Sequence, residues 1–72
     1  MVALPPYIAL ISELERRRGI AKERDLYNSL REKYSLSIRE FRKLLMILEL
    51  RGVVHVETIK KEERMIYLVK QG

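Results

Sequence analysis

The sequence predicts a small α+β domain: three helices, the last two forming a helix-turn-helix, followed by a two-stranded β-hairpin. Three observations carry this expectation. Apolar residues recur at helical spacing up to Arg51, with Gly19 and Gly52 as stops. Only the tight turn Ser35-Leu36 separates the second helical segment from the third, which fits two packed helices of a helix-turn-helix. After Gly52 the apolar period falls to two, and a charged tip divides the remainder into two strands.

The first helix is expected over residues 5–18. Pro5 or Pro6 suits its first turn, where a missing N–H costs nothing. Tyr7, Leu10, Ile11 and Leu14 follow the i, i+3, i+4, i+7 spacing of one apolar face. Arg16, Arg17 and Arg18 stand in the last turn, where cations favour the helix dipole, and Gly19 suits the left-handed C′ position. Ile20 to Lys22 reads as a short connection or a minimal strand. A second helix is expected over 23–34, with Glu23 and Asp25 at its N-terminal end and Leu26, Tyr27, Leu30 and Tyr34 as its buried stripe.

The third helix, expected over 38–51, carries the strongest local signal. Ser37-Ile38-Arg39-Glu40 matches a capping box, with Ser37 as N-cap and Glu40 reaching back to its N–H. Gly52 ends the helix. Residues 53–69 then form the hairpin: Val53 to Ile59 is β-branched and partly alternating, Lys60-Lys61-Glu62-Glu63 is the tip, and Arg64 to Val69 returns. An isolated hairpin is marginally stable, so its apolar face is expected to pack on the helices.

Size and composition restrict the possibilities. The chain has 72 residues, 47% of them hydrophobic and 35% charged, which makes one small domain, 1–72, with an ordinary apolar share. Cysteine is absent, so disulfides, thiolate zinc sites and cysteine nucleophiles are excluded. The apolar run Leu44 to Leu48 spans five residues, far short of a membrane helix. Met1 to Pro6 lack the pattern of a signal peptide, and a cytoplasmic protein is expected. Fifteen Lys and Arg against 10 Asp and Glu leave a net charge of +5, spread along the chain. A moderate basic excess suggests nucleic acid, but position must decide. Amide residues occur only at Asn28 and Gln71, and with abundant Glu, Lys and Arg this is the composition of a heat-adapted organism.

Position points to the third helix. At about 100° per residue, Phe41, Leu44, Leu45 and Leu48 fall on one side and Arg39, Arg42, Lys43 and Met46 on the other, with Leu50 continuing the line and Ile47 at its edge. The outer stripe is basic in its N-terminal half, where a recognition helix meets base edges and phosphates in a major groove. Arg binds guanine in bidentate fashion and Lys contacts phosphate. The plain alternative is a solvated basic face. The C-terminal half (Met46, Ile47, Leu50) has no DNA rationale and suggests a covered surface, the cover being a second copy, another protein, or the hairpin and N-terminus. Lys60, Lys61 and Arg64 suit a phosphate backbone or the minor groove, although Glu62 and Glu63 between them fit a solvated turn equally well.

Leu36-Ser37-Ile38, then Phe41, Leu44, Leu45 and Leu48-Glu49-Leu50-Arg51-Gly52-Val53-Val54, resembles the winged helix-turn-helix signature: a helix ending in Leu-Glu-x-x-Gly-hydrophobic-Val, followed by a two-stranded wing. The returning Tyr67-Leu68 is similar to the second wing strand. The chain looks most like small winged-helix proteins of archaea and their viruses, and more distantly like MarR-like regulators. The resemblance implies a transcription regulator that binds double-stranded DNA, often as a dimer. It implies DNA contacts at Ser37, Arg39, Glu40, Arg42, Lys43 and Met46 on the third helix, and at Lys60, Lys61 and Arg64 on the wing. Glu40, Met46 and Ile47 depart from the family's usual residues. The long extra helices by which MarR-like proteins dimerise and bind effectors are absent from this chain. Winged helices also serve as protein-interaction modules, with Met46, Ile47 and Leu50 then forming the contact.

Catalytic chemistry is not expected. The glycines, Gly19, Gly52 and Gly72, make no phosphate loop, the serines have no triad partners, and His55 stands alone in a strand without an orienting group. Tyr67 is the single aromatic of the hairpin, too few for a single-strand stacking platform. The expectation is a non-enzyme with no cofactor, metal, small-molecule substrate or membrane contact.

Overall fold

The computed structural model describes residues 5–69; the two ends of the expected domain, 1–4 and 70–72, lie outside the described residues. The elements are α1 (Pro6–Arg16), β1 (Ile20–Lys22), α2 (Glu23–Tyr34), α3 (Ile38–Leu50), β2 (Val54–Lys60) and β3 (Glu63–Leu68).

Helix α1 stops two residues before the expected boundary at 18. The N–H of Gly19 donates to the Leu14 carbonyl (2.7 Å) and that of Arg18 to the Glu15 carbonyl (3.0 Å). This is a Schellman ending, and it corrects the expected place of the glycine. Arg18, not Gly19, occupies the left-handed C′ position, at φ 65°, and Gly19 follows at φ 84°. The cause is tertiary. The chain must reverse here to bring Ile20 opposite Tyr67, and the Leu68 N–H donates to the Gly19 carbonyl at 2.8 Å. Arg16 and Arg17 both turn back onto the Glu13 carboxylate, at 2.6 and 2.9 Å.

The capping box of α3 is complete. The Ser37 hydroxyl accepts from the Glu40 N–H (3.1 Å), and the Glu40 carboxylate accepts from the Ser37 N–H (3.0 Å). The far end closes on Gly52 at φ 76°, with the Gly52 and Val53 N–H groups donating to the Glu49 and Leu48 carbonyls. Between α2 and α3 the turn is made by Ser35 in the left-handed region, φ 52°.

Strands β2 and β3 form the expected hairpin, with a register irregularity between Thr58 and Lys60. Ile20–Lys22 is a true strand. It pairs antiparallel with β3, so the sheet has three strands in the order β1-β3-β2. The hairpin is thereby fastened to the helical body through its second strand.

One core joins the two layers: Leu10 and Leu14 of α1, Leu26 and Leu30 of α2, Phe41, Leu45 and Leu48 of α3, and Ala21, Val54 and Ile66 of the sheet. Tyr7, expected on the buried face of α1, is exposed; the fully buried part of that face begins at Leu10. Tyr27 and Tyr34 lie half-buried at the rim.

Candidate nucleic-acid interface

The buried stripe of α3 determines what its other face shows. With Phe41, Leu45 and Leu48 in the core, the residues two positions away, Arg39, Lys43, Met46, Ile47 and Leu50, point outward and are exposed, and Arg42, next to Phe41, is exposed at the side of the helix. The outer face is basic towards the N-terminus and apolar towards the C-terminus. The hairpin does not cover the apolar half: Met46 is 52% and Leu50 81% exposed.

The basic residues do not all stand in the same situation. Arg39 and Lys43 on α3, and Lys60 and Lys61 at the wing tip, make no side-chain ion pair or hydrogen bond among the described residues. Arg42 leans away from the outer face towards Glu23, its Nε 3.4 Å from Glu23 Oε2 and its Nη2 3.4 Å from Oε1. Arg64, expected at the basic tip, lies inward of it and places Nη1 3.3 Å from the same Oε2. Glu23 is 6% exposed and stands at the first position of α2, where the helix dipole favours a carboxylate. Three elements, α2, α3 and β3, therefore converge on one buried acid. Nothing in the sequence distinguished Glu23 from any other acid in a first helical turn.

A second ion pair, Lys22 to Glu63 at 3.4 Å, ties the end of β1 to the wing beside its tip. Around these contacts runs an open groove of about 1160 Å³ between the start of α2, the start of α3 and the wing tip. Its walls carry Lys22, Arg24, Arg42, Lys60, Lys61 and Arg64 against Glu23, Asp25, Glu62 and Glu63, a basic excess of two. The lone His55 is exposed on β2 beside Tyr67 and Glu57.

Ser37 and Glu40 are both engaged in the cap. The Ser37 backbone N–H, and then its side chain, hold the Glu40 carboxyl below the usual carboxylate range. A carboxylate so occupied has less freedom to meet a base edge. Among the described residues no group of His, Asp and Glu is arranged to hold a metal ion, and no helix is long and apolar enough to cross a membrane.

The fold is a winged helix-turn-helix. A solved structure of HOP2, described as its DNA recognition and protein interaction domains and as revealing its homologous DNA pairing properties, superposes with a TM-score of 0.76 over 90% of this chain and 100% of that one. Sequence identity is 15%, so the likeness lies in the fold. No protein-family model matches the chain, and no curated protein sequence matches it. With the fold in place, the hairpin β2-β3 is the wing, and α3 occupies the position of the recognition helix.

Proposed function

We propose that this domain binds double-stranded DNA, α3 entering the major groove and the wing lying along the adjacent backbone. In this reading it is a small transcription regulator and not an enzyme. The observation that carries the reading is the set of exposed cations without an ion pair among the described residues: Arg39 and Lys43 on the outer face of α3, and Lys60 and Lys61 on the wing. Cations that pair with no neighbouring acid are the ones able to replace the counterions of a phosphate backbone. The superposed HOP2 structure, described as a DNA recognition domain, supports DNA as a ligand of this architecture.

A gel-shift assay on duplex DNA at two salt concentrations tests the reading. Binding is expected to weaken steeply with salt, and Arg39→Ala/Lys43→Ala to weaken it further while leaving the fold intact. Absence of binding at low salt, or equal affinity in the double variant, would reject it.

A second reading rests on the apolar half of α3. Met46, Ile47 and Leu50 form an exposed patch that DNA contact does not explain, and it supports a second copy or another protein as an additional partner. The two readings are compatible, since helix-turn-helix proteins often bind paired half-sites as dimers.

A further inference from the structure

Glu23 is the least exposed ionisable residue among the described residues, and it is the contact shared by two arginines on different elements. We infer that Glu23 is a specificity-determining positioning residue: it holds Arg42 and Arg64 as a pair at the floor of the groove and restrains their charge towards phosphate. The inference rests on the DNA-binding reading above.

Two guanidinium groups, one from α3 and one from the wing, approach Glu23 Oε2 at 3.4 and 3.3 Å. That oxygen is shielded from solvent and accepts no hydrogen bond of good geometry among the described residues. Through this oxygen the negative charge reaches both arginines as an ion pair, while the other oxygen, Oε1, accepts a hydrogen bond from Arg42 Nη2 (3.4 Å). Two cations and one anion leave a net single positive charge at this point of the groove. Both guanidiniums stay accessible, with the Arg42 side chain 54% and the Arg64 side chain 31% exposed. Each keeps donors for a DNA oxygen while its position is set from behind.

The energetic consequence has a definite sign. Arginines held by a carboxylate attract unspecific phosphate less than free ones, and lose less freedom when they meet an aligned acceptor. Replacing Glu23 by glutamine keeps the shape, removes the charge and frees one cation. Binding to DNA of arbitrary sequence should then become tighter at low salt, and the slope of log K against log salt should steepen by about 0.9, one further phosphate. A carboxylate that merely starts helix α2 predicts the reverse: loss of stability, with the slope unchanged or shallower.

The experiment measures binding of a random-sequence duplex to wild type and Glu23→Gln across a salt series, alongside amide and arginine Nε–H spectra of the free proteins. A steeper slope, together with a shift of the Arg42 Nε–H signal, whose nitrogen lies beside Glu23 Oε2, is expected. A wild type with no salt-dependent binding would reject the DNA reading and this inference with it. A binding wild type, with an unchanged or shallower slope in Glu23→Gln, would overturn this inference alone. Should Glu23→Gln fail to fold, the same comparison is made between Arg64→Gln and Glu23→Gln/Arg64→Gln, where a carboxylate and a guanidinium are removed together. The double variant should again show the steeper slope, and equal slopes would overturn the inference.

Discussion

The Tyr27 hydroxyl donates a 2.9 Å hydrogen bond to the carbonyl of Leu36. The bond crosses the turn between α2 and α3, and the Tyr27 ring meets Phe41 of α3 with centroids 5.4 Å apart. One side chain of α2 thus sets the start of α3 and packs against its first buried residue. Tyr27→Phe keeps the ring contact and removes the bond. It should lower stability by about 1 kcal/mol, read as a reduced denaturant midpoint with an unchanged m-value.

The α3 cap should be visible in the pH dependence of stability. Glu40 has its carboxyl held below its ordinary value near 4.5, first by the Ser37 backbone N–H and then by the Ser37 side chain. A depressed folded-state pKa means stability that is present above the unfolded value and is lost as pH falls through the folded one. The melting temperature should therefore decline below about pH 4.5, and Glu40→Gln should flatten that decline. Glu13, held low chiefly by its hydrogen bond from Arg16, acts in the same direction, so the double variant Glu13→Gln/Glu40→Gln should be flatter still. A decline of equal steepness in all three proteins would remove both groups from the account.

Two left-handed residues at helix ends should respond in opposite directions. Arg18 bears a Cβ at φ 65°, and Gly52 bears none at φ 76°. Arg18→Gly relieves a strained C′ position and should stabilise by about 0.5–1 kcal/mol. Gly52→Ala introduces that strain and should destabilise by about 1 kcal/mol. A Cβ at Gly52 would meet no atom within 4 Å, so the loss comes from the backbone alone. Thermal unfolding of the two variants checks the pair.

Arg42 should separate from its neighbours on α3. Arg39→Ala and Lys43→Ala remove exposed side chains without partners and should change stability by less than about 0.5 kcal/mol. Arg42→Ala withdraws one of two counterions from a buried carboxylate. It should destabilise by about 1–2 kcal/mol, less than a fully buried pair, because Arg64 remains beside Glu23. Chemical denaturation of the three single variants distinguishes them. Loss of DNA binding in an Arg42 variant is interpretable only beside its stability.

The apolar patch has its own test. Leu50→Glu and Met46→Glu place charge on exposed positions and should leave the monomer folded. If a second copy sits there, light scattering should show a dimer for wild type and a monomer for both variants. Identical masses in all three would remove self-association through this patch.

Much of this architecture is written in short-range chemistry. Ser37 and Glu40 cap α3 with groups three residues apart, Pro6 and Gly52 mark a helix start and a helix stop, and the change of period after Gly52 announces the hairpin. Such features depend on backbone and side-chain preferences within one turn or one strand, and a linear reading reaches them. The outward direction of Arg39 and Lys43 follows from the same periodicity once Phe41, Leu45 and Leu48 are assigned to the core.

The remainder was decided by residues far apart in the chain. Ile20–Lys22 became a strand because β3 offered an edge to pair with, and that pairing moved the end of α1 and forced Arg18 into a conformation its side chain disfavours. Glu23 became buried, and Arg42 and Arg64 became its partners, because the wing folds back across the start of α2. The sequence by itself determined which faces are apolar and where the helices begin. Only the tertiary structure decided which cations are free and which are held, since that depends on a carboxylate brought close by packing and on how little water remains around it.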